Sequence, residues 1–148
     1  MCDGKRYEEI VKEHKIDYIV HLAAILSALG ERFPDRATQV NVSGCINALN
    51  IARDHKCRIF VPSTIAVFGG NHFPKVNTPV DVPLQPETIY GISKVFNEQI
   101  GTYYHNKFGV DFRSIRYPGV ISSEKYEFNG TTDYSTEIFF HALEKSFY

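Results

Sequence analysis

A tyrosine and a lysine, Tyr90 and Lys94, stand four residues apart in the segment Tyr-Gly-Ile-Ser-Lys. On a helix this spacing places both side chains on one face, one turn apart. A phenol has an unperturbed pKa of about 10, and a neighbouring ammonium group favours the phenolate. The pair could therefore remove a proton from a hydroxyl group. In isolation the spacing is common, and most such pairs are only solvated neighbours.

The elements that must position this pair follow from the hydrophobic pattern. Apolar runs predict three short strands, at residues 16–24, 58–62 and 111–117. Amphipathic segments predict helices near residues 7–15, 35–55, 87–107 and 134–145. This α-β-α-β-α-β-α order favours an α/β fold, a partial Rossmann-type doubly wound parallel sheet of about three strands with flanking helices.

Two local features matter for the site. The helix predicted over 87–107 should bury one apolar stripe, with Tyr90 and Lys94 beside it; the stripe consists of Ile89, Ile92, Phe96, Ile100 and Tyr103. Polar residues follow each predicted strand, in segments 21–27, 63–64 and 117–123. Ligands of parallel sheets bind beyond the carboxyl ends of the strands, so these segments should meet along one edge.

Composition excludes several classes of function. The 148 residues are 43% hydrophobic and 22% charged, with a net charge of −1, so no basic surface for nucleic acid or anionic membrane is expected. No apolar run approaches the length of a membrane span. The three cysteines form no CxxC and the six histidines show no ligand spacing, which predicts reduced thiols, an intracellular location and no metal.

A family resemblance emerges from several motifs in order. Ser63 and Thr64 ahead of Tyr90 and Lys94, with Asn41 in the preceding helix, resemble the catalytic set of the short-chain dehydrogenase/reductase superfamily. His-Leu-Ala-Ala, Asn-Val-Ser-Gly and Pro-Ser-Thr-Ile-Ala-Val-Phe-Gly resemble motifs of its extended, epimerase/dehydratase branch; they occupy residues 21–24, 41–44 and 62–69. Within that branch, further segments resemble the epimerase-like L-threonine 3-dehydrogenases, most discriminatingly Gly-Thr-Thr-Asp-Tyr at 130–134.

The resemblance implies a catalytic role for five residues. Tyr90 would be the general base for the 3-hydroxyl of L-threonine, and Lys94 would lower its pKa and hold the nicotinamide ribose. Thr64 would hydrogen-bond the reacting oxygen, with Ser63 as a second candidate. Asn41 would support the proton relay through a backbone-bound water. The implied reaction is NAD-dependent oxidation of L-threonine to L-2-amino-3-oxobutanoate.

The same resemblance implies binding residues and partners. The NAD contacts would be His21, Leu22, Ala23, Ala24, Asn41, Tyr90, Lys94, Tyr117 and Pro118. The threonine contacts would be Ser27, Thr64, Tyr90, Thr131 and Asp133, of which Asp133 could pair with the ammonium group. A homodimer through the two long helices is expected. The family location is mitochondrial in eukaryotes and cytoplasmic in bacteria.

Several of these residues have a purely structural alternative. Ser63 and Thr64 could satisfy backbone groups after a strand, and Asn41 could bond only locally. His21 fits a packed histidine at a strand end, whose backbone touches the cofactor, better than a catalytic acid. Asp133 could be the N-cap of the last helix.

One expected feature is missing from the sequence. The family begins with a strand and a Gly-x-x-Gly-x-x-Gly turn that holds the pyrophosphate, and no such turn occurs here. The resemblance therefore implies that residues 1–148 are the central and C-terminal part of an NAD(P)-binding domain, with a substrate lobe beginning near 120–148. We expect this chain to be inactive alone. A nucleotide-sugar epimerase or dehydratase, or a non-catalytic truncated isoform or paralogue, is the alternative.

Overall fold

The computed structural model describes residues 2–70, 74, 76–120 and 134–145. Its α-helices are α1 (Gly4–Glu13), α2 (Ser27–Arg32), α3 (Pro34–Thr38), α4 (Gly44–His55), α5 (Ile89–Phe108) and α6 (Tyr134–Lys145). A π-helix, Gln39–Ser43, joins α3 to α4, and a 3-10 helix covers Ile65–Val67. The strands are β1 (Tyr18–Val20), β2 (Arg58–Phe60), β3 (Ser63–Thr64), β4 (Phe112–Arg113) and β5 (Arg116–Tyr117).

Parallel strands flanked by helices confirm the predicted fold class. The main sheet has the order β1-β2-β4, with both pairs parallel and Ile59 opposite Ile19 and Phe112. A second parallel pair joins β3 to β5, with Ser63 opposite Arg116. Strands that are not consecutive in the chain pair side by side, which requires crossover connections.

The strand predicted over 111–117 is divided in two, and Ser63 and Thr64 lie in a strand instead of after one. The ladder nevertheless continues across the division, because Val61 N donates to Arg113 O over 2.9 Å and Ser63 N to Ile115 O over 2.8 Å. Between these two donors stands Pro62, which has no N–H to contribute. The second pair therefore extends the carboxyl edge of the main sheet.

The hydrophobic core lies between the sheet and helices α1, α4 and α5. Leu49 of α4 and Ile59 of β2 are almost fully buried there, together with Tyr104 of α5. The ring of Phe112 occupies the space where a side chain at Gly101 would lie, so α5 approaches β4 closely. This contact sets the distance between α5 and the sheet.

The buried face of α5 differs from the predicted apolar stripe. Ile92 and Tyr103 are 49% and 51% exposed. The buried residues are small or polar instead, namely Gly91, Ser93, Lys94, Asn97, Gly101 and Tyr104. Glycines permit close packing, and Ser93, Lys94 and Tyr104 find hydrogen-bond partners on other segments, so burial here follows geometry more than hydrophobicity.

The helix predicted over 35–55 is also more complex than expected. It begins one residue earlier, at Pro34, and changes to a π-helix at Gln39–Ser43 before continuing as α4. A short helix that the pattern did not predict, α2, precedes it. In the described ranges no helix is both long and apolar enough to cross a membrane.

Candidate active site

The segment 62–64 is the centre of the site, because each of its residues faces one side chain of α5. Lys94 Nζ donates to the Pro62 carbonyl over 2.7 Å, and the Ser63 hydroxyl donates to Glu98 Oε1 over 2.5 Å. The Thr64 side chain lies near the Tyr90 phenol and lowers its pKa. Tyr90, Lys94 and Glu98 follow each other at four-residue intervals and so share one helix face. The end of the strand is thereby held against one face of the helix.

Thr64 is the hydroxyl that meets the phenol of Tyr90. Its oxygen accepts the Ala66 amide over 3.2 Å, which leaves its proton available for the phenol oxygen. Burial raises the pKa of Tyr90 above its ordinary value, and the hydrogen bond from Thr64 acts in the opposite direction. Thr64 therefore stabilises the phenolate in a setting that otherwise disfavours it.

Lys94 is buried behind the tyrosine, with 6% of its surface exposed. Its ammonium nitrogen lies 5.6 Å from the centroid of the Tyr90 ring and bonds the Pro62 carbonyl. Burial lowers the pKa of Lys94. Burial is the largest influence on the Tyr90 pKa and raises it, while the lowering of this pKa by Lys94 stays a prediction. At neutral pH the resting tyrosine is thus the neutral phenol.

Asn41 connects the π-helix to two other parts of the site. Its side chain accepts from Ile25 N over 2.7 Å and donates to Ile25 O over 3.0 Å and to Ser93 Oγ over 3.2 Å. Ser93 in turn donates to the carbonyl of Tyr90 over 2.7 Å. π-Helical turns often occur at functional sites. Here the turn places Asn41 as a brace for the start of α5, while the water-mediated relay stays a prediction.

Two more residues that sequence reasoning missed hold the N-terminus of α5. Glu31 Oε1 accepts from Ile89 N over 2.8 Å, and Thr88 Oγ1 accepts from Gly91 N over 3.0 Å. A β-carbon at Gly91 would lie 2.6 Å from the Ala66 carbonyl, so α5 touches the 3-10 helix directly. The Thr-x-x-Gly spacing could have indicated the cap, whereas the contribution of Glu31 depends on tertiary structure.

His21 lies at the end of β1 and is only 2% exposed. Its backbone amide donates to Phe60 O over 2.9 Å, while its Nδ1 finds no partner among the residues described. Burial, assisted by the positive charge of Lys94, lowers the pKa of His21 to about 4. This geometry agrees with a packed strand-end histidine, as the structural alternative expected.

The other predicted contacts are distributed along the same edge. Tyr117 is opposite Thr64 in the β3–β5 pair and is 39% exposed, and Pro118 follows it at the surface. Ser27 is buried at the start of α2, with 7% exposed. After His21, Leu22 is exposed and Ala23 and Ala24 are half-buried. Thr131 and Asp133 lie outside the described residues.

One cavity lies apart from the tyrosine–lysine pair. It measures about 620 Å³ and is lined by Ile65, Phe68, Val80, Glu98, Thr102, Phe112, Ser114 and Arg116. Neither Tyr90 nor Lys94 contributes to its wall. No group of three His, Cys, Asp or Glu residues that could hold a metal occurs in the part of the chain that is described.

Comparison with known proteins identifies the family. A sequence model of the NAD dependent epimerase/dehydratase family matches residues 1–145. The chain belongs to this family. A relative in Staphylococcus saprophyticus, named an uncharacterized epimerase/dehydratase, is 44% identical over 148 residues, which are the whole of this chain and 46% of that protein.

Solved structures of similar sequence carry a more specific name. The L-threonine dehydrogenase from Phytophthora infestans is 51% identical with a TM-score of 0.93, over 97% of this epimerase/dehydratase chain and 47% of its own. The L-threonine dehydrogenase from Clostridium difficile is 46% identical with a TM-score of 0.92, over 97% and 45%. The chain thus spans about half the length of the proteins it matches.

The family name implies NAD as a cofactor, and the hydrogen-bond donors at the site suit its nicotinamide end. Lys94 has three N–H donors and uses one on Pro62, and Tyr90 lies beside it at the carboxyl edge of the strands, where α/β sheets bind nucleotides. These groups fit the hydroxyls of a nicotinamide ribose. The sequence contains no glycine-rich turn that would cradle the pyrophosphate of NAD.

Proposed function

We propose that this chain supplies the proton-transfer residues of an NAD-dependent L-threonine 3-dehydrogenase, which oxidises L-threonine to L-2-amino-3-oxobutanoate. The observation that carries the proposal is the position of Tyr90 and Lys94 on one face of α5, where the Lys94 ammonium nitrogen lies 5.6 Å from the centroid of the Tyr90 ring and bonds the Pro62 carbonyl, two residues before Thr64. The choice of substrate is supported by the two L-threonine dehydrogenase structures at 51% and 46% identity.

In this mechanism the protein handles the proton. Thr64 orients the 3-hydroxyl of threonine, and Tyr90, once ionised to the phenolate, takes its proton at the phenolate oxygen. Lys94 holds the ring through its ammonium group and offers donors to the ribose hydroxyls. Bound NAD would supply the hydride acceptor for C3, so that the alcohol, having lost its hydroxyl proton to Tyr90, would become a ketone.

We assign the remaining contacts by position. The backbone at His21, Leu22, Ala23 and Ala24, together with Asn41, Tyr117 and Pro118, would contact the cofactor. Ser27, Thr131 and Asp133 would contact the amino acid. These residues belong to an NAD(P)-binding domain of the extended type, with the substrate lobe beginning near residues 120–148.

A second copy of the chain is the proposed partner. The resemblance implies pairing through the long helices, and α5 offers Ile92 and Tyr103 as half-exposed side chains on the face turned away from the sheet. We expect a homodimer in a polypeptide that contains the whole domain, measured as mass in solution by sedimentation. The assignment would be contradicted if the unsubstituted protein sedimented as a monomer and Ile92→Glu did not change its mass.

The alternative activity is a nucleotide-sugar epimerase or dehydratase. Its support is the name of the family and of the staphylococcal relative. A non-catalytic module is the third possibility, since the chain lacks the phosphate-binding turn. The three differ in what they convert, so one assay separates them.

The test uses the chain alone and a hybrid in which it replaces the matching segment of the Phytophthora infestans L-threonine dehydrogenase. We expect threonine-dependent NADH formation by the hybrid and none by the chain alone. Conversion of a UDP-sugar without threonine oxidation would favour the epimerase. A folded hybrid that converts neither substrate would favour the non-catalytic module.

A further inference from the structure

The contacts of Ser63 show a network that the proposed chemistry does not use. The Ser63 side chain is 5% exposed, and its hydroxyl donates to Glu98. Glu98 also accepts two hydrogen bonds from Arg116, Nε to Oε1 over 2.9 Å and Nη2 to Oε2 over 2.7 Å. Ser63 and Arg116 are opposite each other in the β3–β5 pair. One carboxylate therefore ties both strands to α5.

Arg116 extends the network to the loop before α5. Its third donor, Nη1, bonds the carbonyl of Val80 over 2.8 Å, and its guanidinium lies 5.1 Å from the centroid of the Phe68 ring. The side chains of the ion pair are only 22% and 18% exposed. A bidentate arginine–carboxylate pair of this kind is geometrically rigid, so it restricts how β3 can shift along the helix.

The charge state of Glu98 suits this function. Burial acts to raise its pKa, but the hydrogen bonds from Arg116 and Ser63 outweigh burial and hold the pKa below its ordinary value. Glu98 is thus a carboxylate at neutral pH and accepts from both partners at once. The Ser63 hydroxyl donates to Glu98. The Thr64 hydroxyl lies near Tyr90 instead.

We propose that Glu98 and Arg116 are positioning residues which, through Ser63, hold Thr64 at the Tyr90 phenol, so that Thr64 is the hydroxyl of the reaction and Ser63 its anchor. The assignment to a reaction rests on the proposed function. The geometric part concerns only how the Ser63–Glu98–Arg116 network places Thr64 beside Tyr90. It can therefore be tested without turnover.

The experiment follows the phenol itself. 3-Fluorotyrosine placed at position 90 of this chain reports the ionisation of that ring by fluorine NMR. Because the hydrogen bond from Thr64 lowers the pKa of Tyr90, Thr64→Val should raise it and supplies the reference shift. We expect Glu98→Gln to raise the pKa by at least half of that shift.

A matched ion pair provides the control. Asp111 and Arg113 form a similar two-bond pair at 2.9 and 3.2 Å, without contact to segment 62–64. Asp111→Asn should leave the titration of residue 90 unchanged. If the Glu98–Arg116 pair acted only through overall stability, Glu98→Gln would lower the melting temperature and leave the fluorine titration unchanged.

A double-mutant cycle tests the route through Ser63. Ser63→Ala should raise the pKa of residue 90 in the wild-type background and add little after Glu98→Gln, because Ser63→Ala removes the donor of this link and Glu98→Gln removes the charge of its acceptor. Ser63→Ala also keeps the Glu98–Arg116 pair, so it remains informative if Glu98→Gln does not fold. The proposal would be overturned if the pKa shifts of Ser63→Ala and Glu98→Gln were additive. It would also be overturned if only Thr64→Val changed the pKa of residue 90. Absence of threonine oxidation would overturn the proposed function and leave this result standing.

Discussion

Acid should destabilise this protein through one buried imidazole. His21 is 2% exposed, and its pKa is lowered from 6.5 to about 4, chiefly by burial. Between these values the unfolded chain binds a proton that the folded chain does not, so stability is lost as the pH falls. A gap of this size, at about 1.4 kcal/mol per pH unit, corresponds to about 3 kcal/mol of unfolding free energy.

Urea unfolding at several pH values between about 7 and about 4 measures this loss. Carboxylates such as Glu98, whose pKa lies below the ordinary 4.5, contribute only at the acid end of the range. Above the acid end of the range, His21→Asn should remove most of the pH dependence of the unfolding free energy. Substitution of an exposed histidine, His14→Gln, should leave that dependence in place. If the unfolding free energy of His21→Asn fell with pH as steeply as that of the wild type, the reasoning would be refuted.

Three further predictions concern the site and its surroundings. In the active hybrid, Thr64→Val should move the alkaline rise of the pH–rate profile to higher pH, since the phenolate of Tyr90 loses a donor; an unmoved profile would contradict this. Gly91→Ala should lower the melting temperature, because its β-carbon would lie 2.6 Å from a carbonyl of the 3-10 helix, whereas Gly4→Ala, with room for a methyl group, should be neutral or gain about 0.5–1 kcal/mol. A thiol reagent should label the exposed Cys2 before the two buried cysteines of the folded chain, and mass spectrometry of the labelled peptides would show otherwise if a buried thiol reacted first.

Local patterns predicted the elements and the central pair. Helical spacing was enough to place Tyr90 and Lys94 on one face, because it depends only on the repeat of the helix. The parallel sheet followed from strands that alternate with helices. Both inferences use short stretches of sequence, where neighbours in the chain are also neighbours in space.

The details that depend on tertiary contacts were not predictable. The apolar stripe through Ile92 indicated only part of the buried face: Ile100 packs against the core, but Gly91 and Gly101, which the stripe omits, are where α5 approaches its neighbours most closely. Glu98 had one signal in the sequence, as the sole acidic residue of α5, one turn beyond Lys94. Its partner Arg116 is 18 residues away along the chain, and only the fold brings them together.

The choice between Ser63 and Thr64 shows the same limit. By residue type the two adjacent hydroxyls are equivalent, and the family resemblance alone placed Thr64 first and Ser63 second. The structure separates them by partner, since one donates to a carboxylate and the other meets the phenol. No rule based on residue type or spacing distinguishes these two environments.

Substitution of Tyr90 tests the central claim most directly. In the hybrid enzyme, threonine-dependent NADH formation should fall to near background with Tyr90→Phe, which removes only the hydroxyl that accepts the proton. Tyr103→Phe, on the same helix and 51% exposed, should leave the rate unchanged. A Tyr90→Phe hybrid that oxidises threonine as fast as the Tyr103→Phe control would show that this phenol is not the base.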